Sequence, residues 1–264
     1  MNILDTIIEH KKIEVAQAKE RVPFDELKNG KFYDRDIISL KQLLNDDSKT
    51  GIIAEFKRRS PSKGIINDTA DVAEVTRAYT ANGASCLSIL TDEHFFGGTV
   101  ADIAAARFNN IPILRKDFMI DEYQVSEARA MGADVILLIA ACLSPDRVKE
   151  LARFATSLNL EVLLEIHNEE ELAHICDETE IVGVNNRDLK TFVVDIQRSI
   201  ELSKKIPANK IKIAESGIHD VETICTFRDA GFKGFLIGEN FMKQADPTIA
   251  FARFVEQLKS KSIT

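Results

Sequence analysis

Residues Gly51–Gly64 read GIIAEFKRRSPSKG, a short apolar run that ends in alternating charge and then breaks into a Ser/Pro/Gly loop. The run Gly51–Phe56 predicts a buried strand. Side chains alternate across a strand, so Glu55 and Lys57 share one face, Phe56 takes the other, and the two charges lie together at the carboxyl end. Arg58–Gly64 must then be a loop. A Glu and a Lys facing the same way inside a protein are costly unless they pair or serve a ligand. Strand ends carrying such charge are where α/β folds hold their chemistry, so what matters next is whether other strands finish alike.

Downstream, apolar runs recur at Cys86–Leu90, Pro112–Leu114, Val135–Ala140, Glu161–Ile166, Ile181–Val184, Ile211–Ala214 and Gly234–Ile237, which with Gly51–Phe56 makes eight. Between them lie stretches of helical period: Asp71–Ala81, Glu122–Ala130, Pro145–Leu158, Glu169–Cys176 and Val221–Ala230. A glycine follows the last turn at Asn82-Gly83, Met131-Gly132 and Ala230-Gly231, a helix-stop signal. The runs are spaced by about one βα unit, and eight such units in this length define an α/β fold, a (β/α)₈ TIM barrel. The runner-up, a doubly wound open sheet, wants a GxGxxG turn after the first strand, and Ser60-Pro61-Ser62-Lys63-Gly64 is not one.

Upstream, MNILDTIIEHKKIEVAQAKERV sets Ile3, Leu4, Ile7, Ile8 and Val15 at helical spacing, interrupted by Asp5, Glu9 and His10. This is an amphipathic helix, not a signal peptide, whose apolar region would be uninterrupted. Pro23–Lys28 starts a short second helix, and Asp36–Leu44 reads as a further amphipathic stretch. The expectation is one domain over residues 1–264, with 1–50 a helical extension and 51–264 the eight βα units.

Composition narrows the function. The chain has 264 residues, 45% of them hydrophobic, and a net charge of −8, which argues against wrapping nucleic acid. No run approaches the length that spans a bilayer, so no membrane partner and a cytoplasmic location are expected. Cys86, Cys142, Cys176 and Cys225 lie far apart without metal-ligand spacing and read as reduced core thiols. His10, His94, His167, His174 and His219 show no HxH or HExxH pattern, and His167 reads as structural.

The strand ends carry Glu55 and Lys57 (strand 1), Lys116 (strand 3), Glu165 (strand 5), Asn185 and Arg187 (strand 6), Glu215 and Ser216 (strand 7) and Gly238 (strand 8). One such charge by default merely meets solvent. Six ends of eight converging on one rim are the signature of an active site. The stretches AESGI (Ala214–Ile218) and LIGEN (Leu236–Asn240) put glycines where strands 7 and 8 turn, leaving backbone N–H groups for an anion, which points to a phosphorylated substrate. Three carboxylates (Glu55, Glu165, Glu215) interleaved with three cations (Lys57, Lys116, Arg187) can divide acid and base roles, and those cations oppose a metal. Phe96 and Phe118 fall in the loops after strands 2 and 3, as loop anchors or as a clasp for an aromatic ring.

The ordered blocks AEFKRRSPSKG, SILTDEHFFGG, PILRKDFMIDEYQ, ADVILLIAA, LEVLLEIHNEEEL, VGVNNRDLKTF, IAESGI and FLIGENFM run from Ile53 to Met242. Together they resemble the indole-3-glycerol-phosphate synthase family of tryptophan biosynthesis, a single barrel with an N-terminal helical extension. The resemblance implies that 1-(2-carboxyphenylamino)-1-deoxyribulose 5-phosphate is closed to indole-3-glycerol phosphate with loss of carbon dioxide and water, without cofactor or metal. It implies Lys116 as general acid and Glu165 as general base, with Glu55 stabilising the cationic intermediate. Lys57 and Arg187, beside Ser60 and Asn185, match the holders of the substrate carboxylate, while Glu215 and Asn185 line the pocket. Phe96, Phe118 and Leu137 match the seat of the aromatic ring. Ser216, Gly217, Gly238 and Glu239 match the phosphate site, where Glu239 must bind through its backbone because its carboxylate repels the ligand. One departure is that Asn67-Asp68-Thr69-Ala70 lacks a proline, which puts the stiffness of loop 1 in question. The alternatives are a Schiff-base aldolase using Lys116 and a non-catalytic phosphate-binding barrel. A monomer is expected, with a weak homodimer as the other possibility.

Overall fold

The strand-end charges can converge only if the sheet closes on itself, and it does. The computed structural model describes residues 3–188 and 191–261; the parts of the expectations above that fall on Met1, Asn2, Leu189, Lys190 and residues 262–264 lie outside the described residues. Eight parallel strands form a closed barrel: β1 (Ile52–Phe56), β2 (Cys86–Leu90), β3 (Ile113–Lys116), β4 (Val135–Ile139), β5 (Glu161–Ile166), β6 (Ile181–Asn185), β7 (Ile211–Glu215) and β8 (Gly234–Ile237). Each pairs with its neighbour in chain order, and β8 returns to β1 with Ile53 opposite Leu236. The open sheet is thereby excluded. β3, β6 and β7 run further than the sequence suggests, so Lys116, Asn185 and Glu215 are the last residues of their strands.

Strand alternation divides the apolar side chains into two layers. Ile53, Leu114, Leu137, Leu163, Ile213 and Leu236 fill the barrel. Ile52, Ala54, Phe56, Ile136, Leu138 and Leu164 face outward into a larger layer beneath the helices. The chain enters through α1 (Ile3–Arg21), a 3₁₀ helix (Phe24–Asn29) and α2 (Leu40–Leu44). Leu40 and Leu44 of α2 join the interior cluster, so this turn plugs the barrel at its amino-terminal end. Only Leu40–Leu44 of the amphipathic stretch Asp36–Leu44 is helical, beginning where Ser39 accepts a hydrogen bond from the Gln42 N–H at 3.1 Å.

The remaining helices are α3 (Val72–Ala81), α4 (Glu93–Phe96), α5 (Val100–Ala106), α6 (Glu122–Met131), α7 (Pro145–Ser157), α8 (Ile196–Ser203), α9 (Val221–Asp229), α10 (Glu239–Met242) and α11 (Pro247–Lys261). Their starts follow from capping chemistry: Asp71, Asp121, Ser144, Asp195 and Asp220 each accept a first-turn backbone N–H, and Pro145 opens α7. The three stop-signal glycines, Gly83, Gly132 and Gly231, all have positive φ.

Two expectations need correction. The helix over Glu169–Cys176 is a 3₁₀ helix, Glu170–His174. Its first turn is drawn inward because Glu171 accepts from the His167 backbone N–H at 2.7 Å and from Asn168 Nδ2 at 2.9 Å, and the chain then leaves directly for β6. Loop 1 is not irregular throughout: Arg59–Ser60 and Gly64–Ile65 pair antiparallel in a short hairpin. Where the proline is lacking, Asn67 accepts from the Ala70 N–H at 3.0 Å and donates to the Met242 carbonyl at 3.2 Å, tying the end of loop 1 to the unit that follows β8, the strand beside β1. Of the four free cysteines only Cys86 is fully buried; the others are half-buried. Among the described residues no helix is long and apolar enough to cross a membrane.

Candidate active site

The carboxyl ends of the strands surround one ammonium group. Lys116 Nζ lies 3.3 Å from Glu215 Oε2, 3.6 Å from Glu165 Oε2 and 3.9 Å from Glu55 Oε2, carboxylates from three other strands. Inward-facing positions of β3, β7, β5 and β1 meet there because the barrel closes. Lys57, two residues beyond Glu55, ion-pairs with it at 2.8 Å, as alternation requires. Asn185 Nδ2 donates to Glu165 Oε1 at 3.2 Å.

Burial and neighbouring charge pull these groups apart. Burial disfavours the Lys116 ammonium, but Glu215, Glu165 and Glu55 outweigh it and hold its pKa above the usual lysine value. Burial also opposes ionisation of Glu165 and Glu55. Lys116, with His167, keeps Glu165 well below the ordinary carboxylate range, and Lys57 with Lys116 lowers Glu55. Glu215 goes the other way: burial first, then the charge of Glu165 against the partial relief of Lys116, push it up to about 8. At neutral pH the cluster therefore holds a carboxylic acid, two carboxylates and an ammonium side by side.

These groups border a cavity of about 910 Å³ whose wall includes Glu55, Lys57, Ser60, Phe96, Lys116, Phe118, Leu137, Glu165, Asn185, Arg187 and Ser216. Polar residues gather toward β5–β7, apolar ones toward β2–β4. Phe96 and Phe118 face each other with ring centroids 5.9 Å apart. Four residues named from the sequence are not on that wall. Glu215 is buried against Gly183, where an added Cβ would lie 2.1 Å from its Oε1. Gly217 sits under Val194, Gly238 against the Glu55 side chain. Glu239 faces two cations, Arg187 at 3.4 Å and Lys63 at 3.8 Å.

Sequence reading missed several wall residues. Ile3, Leu4 and Ile7 of α1 form part of the apolar end. Their helical stripe was visible, but nothing in it says which element it covers. Lys11 of the same helix is fully buried, 2.9 Å from both Asp92 and Asp117. Asp92 in turn accepts from the Phe95 and Phe96 N–H groups, and Asp117 from the Phe118 N–H. The first helix thus pins both rings. His167, expected to be structural, reaches Glu165 Oε1 at 3.1 Å. That contact was legible, since residues two apart at a strand end share a face.

A closed barrel with an ammonium among carboxylates over a ring-sized apolar recess defines an enzyme of the (β/α)₈ class, suited to proton transfer on an organic substrate. Comparison with known proteins narrows this. Residues 4–254 match the family model described as indole-3-glycerol phosphate synthase. Proteins of that name from Bacteroides thetaiotaomicron (47% identical, covering 98% of this chain and 99% of that protein), Chromobacterium violaceum (43%, 96% and 97%) and an Acidovorax species (42%, 96% and 98%) are similar along their whole length. The chain belongs to the indole-3-glycerol phosphate synthase family, carboxy-lyases of tryptophan biosynthesis. Among solved structures it is similar to a tryptophan synthase subunit alpha from Legionella pneumophila (TM-score 0.62, 12% identical, covering 85% of this chain and 98% of that one). It is also similar to a thiamine phosphate pyrophosphorylase from Pyrococcus furiosus (TM-score 0.57, 13% identical, 79% and 95%). At such identity the likeness is one of fold.

Proposed function

We propose that Lys116 and Glu165 carry the proton transfers by which this chain closes the ring of 1-(2-carboxyphenylamino)-1-deoxyribulose 5-phosphate. The observation that supports this best is the Lys116 ammonium within 3.3–3.9 Å of Glu215, Glu165 and Glu55, at the floor of one cavity. The aromatic ring lies between Phe96, Phe118 and Leu137, and its carboxylate meets Lys57, with Ser60 and Asn185 beside it. As the ring carbon bearing the carboxylate attacks the ketone carbon, Lys116 gives its proton to the ketone oxygen. The attack leaves positive charge on the ring and its nitrogen, which Glu55 faces. The bond to the carboxylate then breaks, carbon dioxide leaves, and its electron pair restores the ring. A proton from a neighbouring ammonium, Lys57 or a reprotonated Lys116, lets the new hydroxyl depart as water, while Glu165 takes the proton released in forming the indole double bond.

The phosphate goes to the ends of β7 and β8, to Ser216 and the backbone of Gly217, Gly238 and Glu239. Arg187, which the resemblance matches to the substrate carboxylate, pairs here with Glu239 at 3.4 Å, and with Lys63 it would supply positive charge to the phosphate, the dianion replacing the Glu239 carboxylate. A Schiff-base aldolase fits less well, because it needs a neutral lysine and three carboxylates hold Lys116 as an ammonium. We place the enzyme in the cytoplasm as a monomer of a single domain, in keeping with its acidic net charge of −8 and with exposed apolar side chains scattered over several helices and loops.

The test is to incubate the purified protein with the carboxyphenylamino ketose phosphate and follow indole fluorescence. Turnover is expected, falling at least ~10²-fold in Lys116→Met. A wild-type signal no higher than that of the variant would end the proposal.

A further inference from the structure

Beyond Glu165 the structure continues as a line of charge that the proposed steps do not use. His167 is 6% exposed and stands between two carboxylates. Its Nε2 is 3.1 Å from Glu165 Oε1 and its Nδ1 is 3.3 Å from Glu171 Oε2. Glu171 is itself held: its Oε2 accepts the His167 backbone N–H at 2.7 Å, its Oε1 accepts from Asn168 Nδ2 at 2.9 Å, and its own N–H donates to Asn168 Oδ1 at 3.1 Å. This ring of bonds turns the stretch after β5, Glu170–His174, into a 3₁₀ helix. The turn is therefore shaped around the imidazole.

The two oxygens of Glu165 have different partners. Oε1 accepts from Asn185 Nδ2 and has the His167 Nε2 beside it at ion-pair distance, 3.1 Å, whereas Oε2 faces Lys116. A carboxylate gripped through one oxygen presents the other in a defined direction. We infer that His167, itself locked by Glu171, is a positioning residue for the reaction: it holds Glu165 through Oε1 and leaves Oε2 to exchange the proton with the substrate. The inference rests on the role proposed for Glu165.

Charge supports the geometry. An imidazole with a carboxylate at each nitrogen is best accommodated with both nitrogens protonated. Burial alone would lower its pKa, but Glu165 and Glu171 raise it to about 10. The other titratable groups around it are Lys116 and Glu215 beyond Glu165, the Cys142 thiol after β4, and Asp5 of α1, which acts with Glu165 and Glu171 on that thiol. Cys142 is pushed up by burial and stays neutral. The imidazolium therefore helps Lys116 to keep Glu165 ionised, and its removal must make that carboxyl easier to protonate.

Three variants test this. His167→Asn is expected to lower kcat about tenfold with KM changed less than about twofold, and to move the acidic limb of the kcat profile upward by ~1 pH unit. Glu171→Gln leaves the imidazole but removes half its clamp, and is expected to shift the limb in the same direction by less, with Glu171→Asp restoring it. The double variant His167→Asn/Glu171→Gln should add nothing to His167→Asn, since Glu171 acts through the imidazole. The independent readout is ¹⁵N NMR of the unliganded wild-type protein with labelled histidine, in which both His167 nitrogens should remain protonated through pH 8. A neutral His167 at pH 7, or an unmoved acidic limb in both single variants, overturns the inference. The NMR measurement needs no turnover, so failure of the lyase reading and failure of this one are told apart.

Discussion

Glu215 and Glu165 are the same residue type, both buried, and both within reach of Lys116, yet one is held protonated near neutrality and the other ionised. The difference is company: Glu165 has His167 and Asn185 on its free oxygen, whereas Glu215 Oε1 packs against Gly183 with no such donor. Glu215 titrates at about 8, so as pH rises through that value it becomes a carboxylate beside Lys116. The added negative charge tightens the lysine's hold on its proton and repels an anionic substrate, so kcat/KM should fall above pH about 8. Glu215→Gln keeps the neutral form at every pH. In that variant the alkaline fall is expected to move upward by at least ~1 pH unit, read from kcat/KM profiles. An unmoved profile would assign the limb to another group. At this scale the sequence was generous: alternation from Glu55 to Lys57 and the polar ending of each apolar run named the groups that meet at Lys116. It was silent on which carboxyl would be the neutral one, because that depends on contacts between β5, β6 and β7 that no local pattern encodes.

Among the elements, α1 shows most clearly how local pattern and tertiary role part company. Its amphipathic stripe was plain, and Ile7 is buried, but with half-buried Leu4 and exposed Ile3 it borders the cavity. Nothing in that stripe singles out Lys11. Yet it is fully buried and joins α1 to the loops after β2 and β3 through Asp92 and Asp117, the residues that fix the backbone of Phe96 and Phe118. Removing one partner of a buried ionic cluster strands the others. Lys11→Met is thus expected to lower the unfolding free energy by about 3 kcal/mol in urea titrations at pH 7, and to raise KM by loosening the two rings. A loss below about 1 kcal/mol would mean that water reaches the aspartates. The helix expected after β5 also failed to form. Glu169–Cys176 has helical composition, but the bonds of Glu171 to His167 and Asn168 take its first turn inward.

For the whole molecule the decisive event is closure, in which β8 returns to β1 and joins the end of the chain to its middle. Gly51 sits at that seam with φ +71°, and a Cβ there would stand 2.4 Å from the Lys233 carbonyl oxygen. Its own carbonyl accepts the Phe235 N–H at 2.9 Å. Gly51→Ala adds left-handed strain to a backbone clash, so a loss of at least about 2 kcal/mol is expected in chemical denaturation. Full stability in that variant would show that the seam yields without cost. The order of the eight strands, the glycine stops and the family were legible along the chain, because hydrophobic runs and turn residues are properties of neighbouring positions. The protonation of Glu215 and the burial of Lys11 were not. Each is set by distances between residues remote in sequence, and those distances come into being only when the sheet has closed.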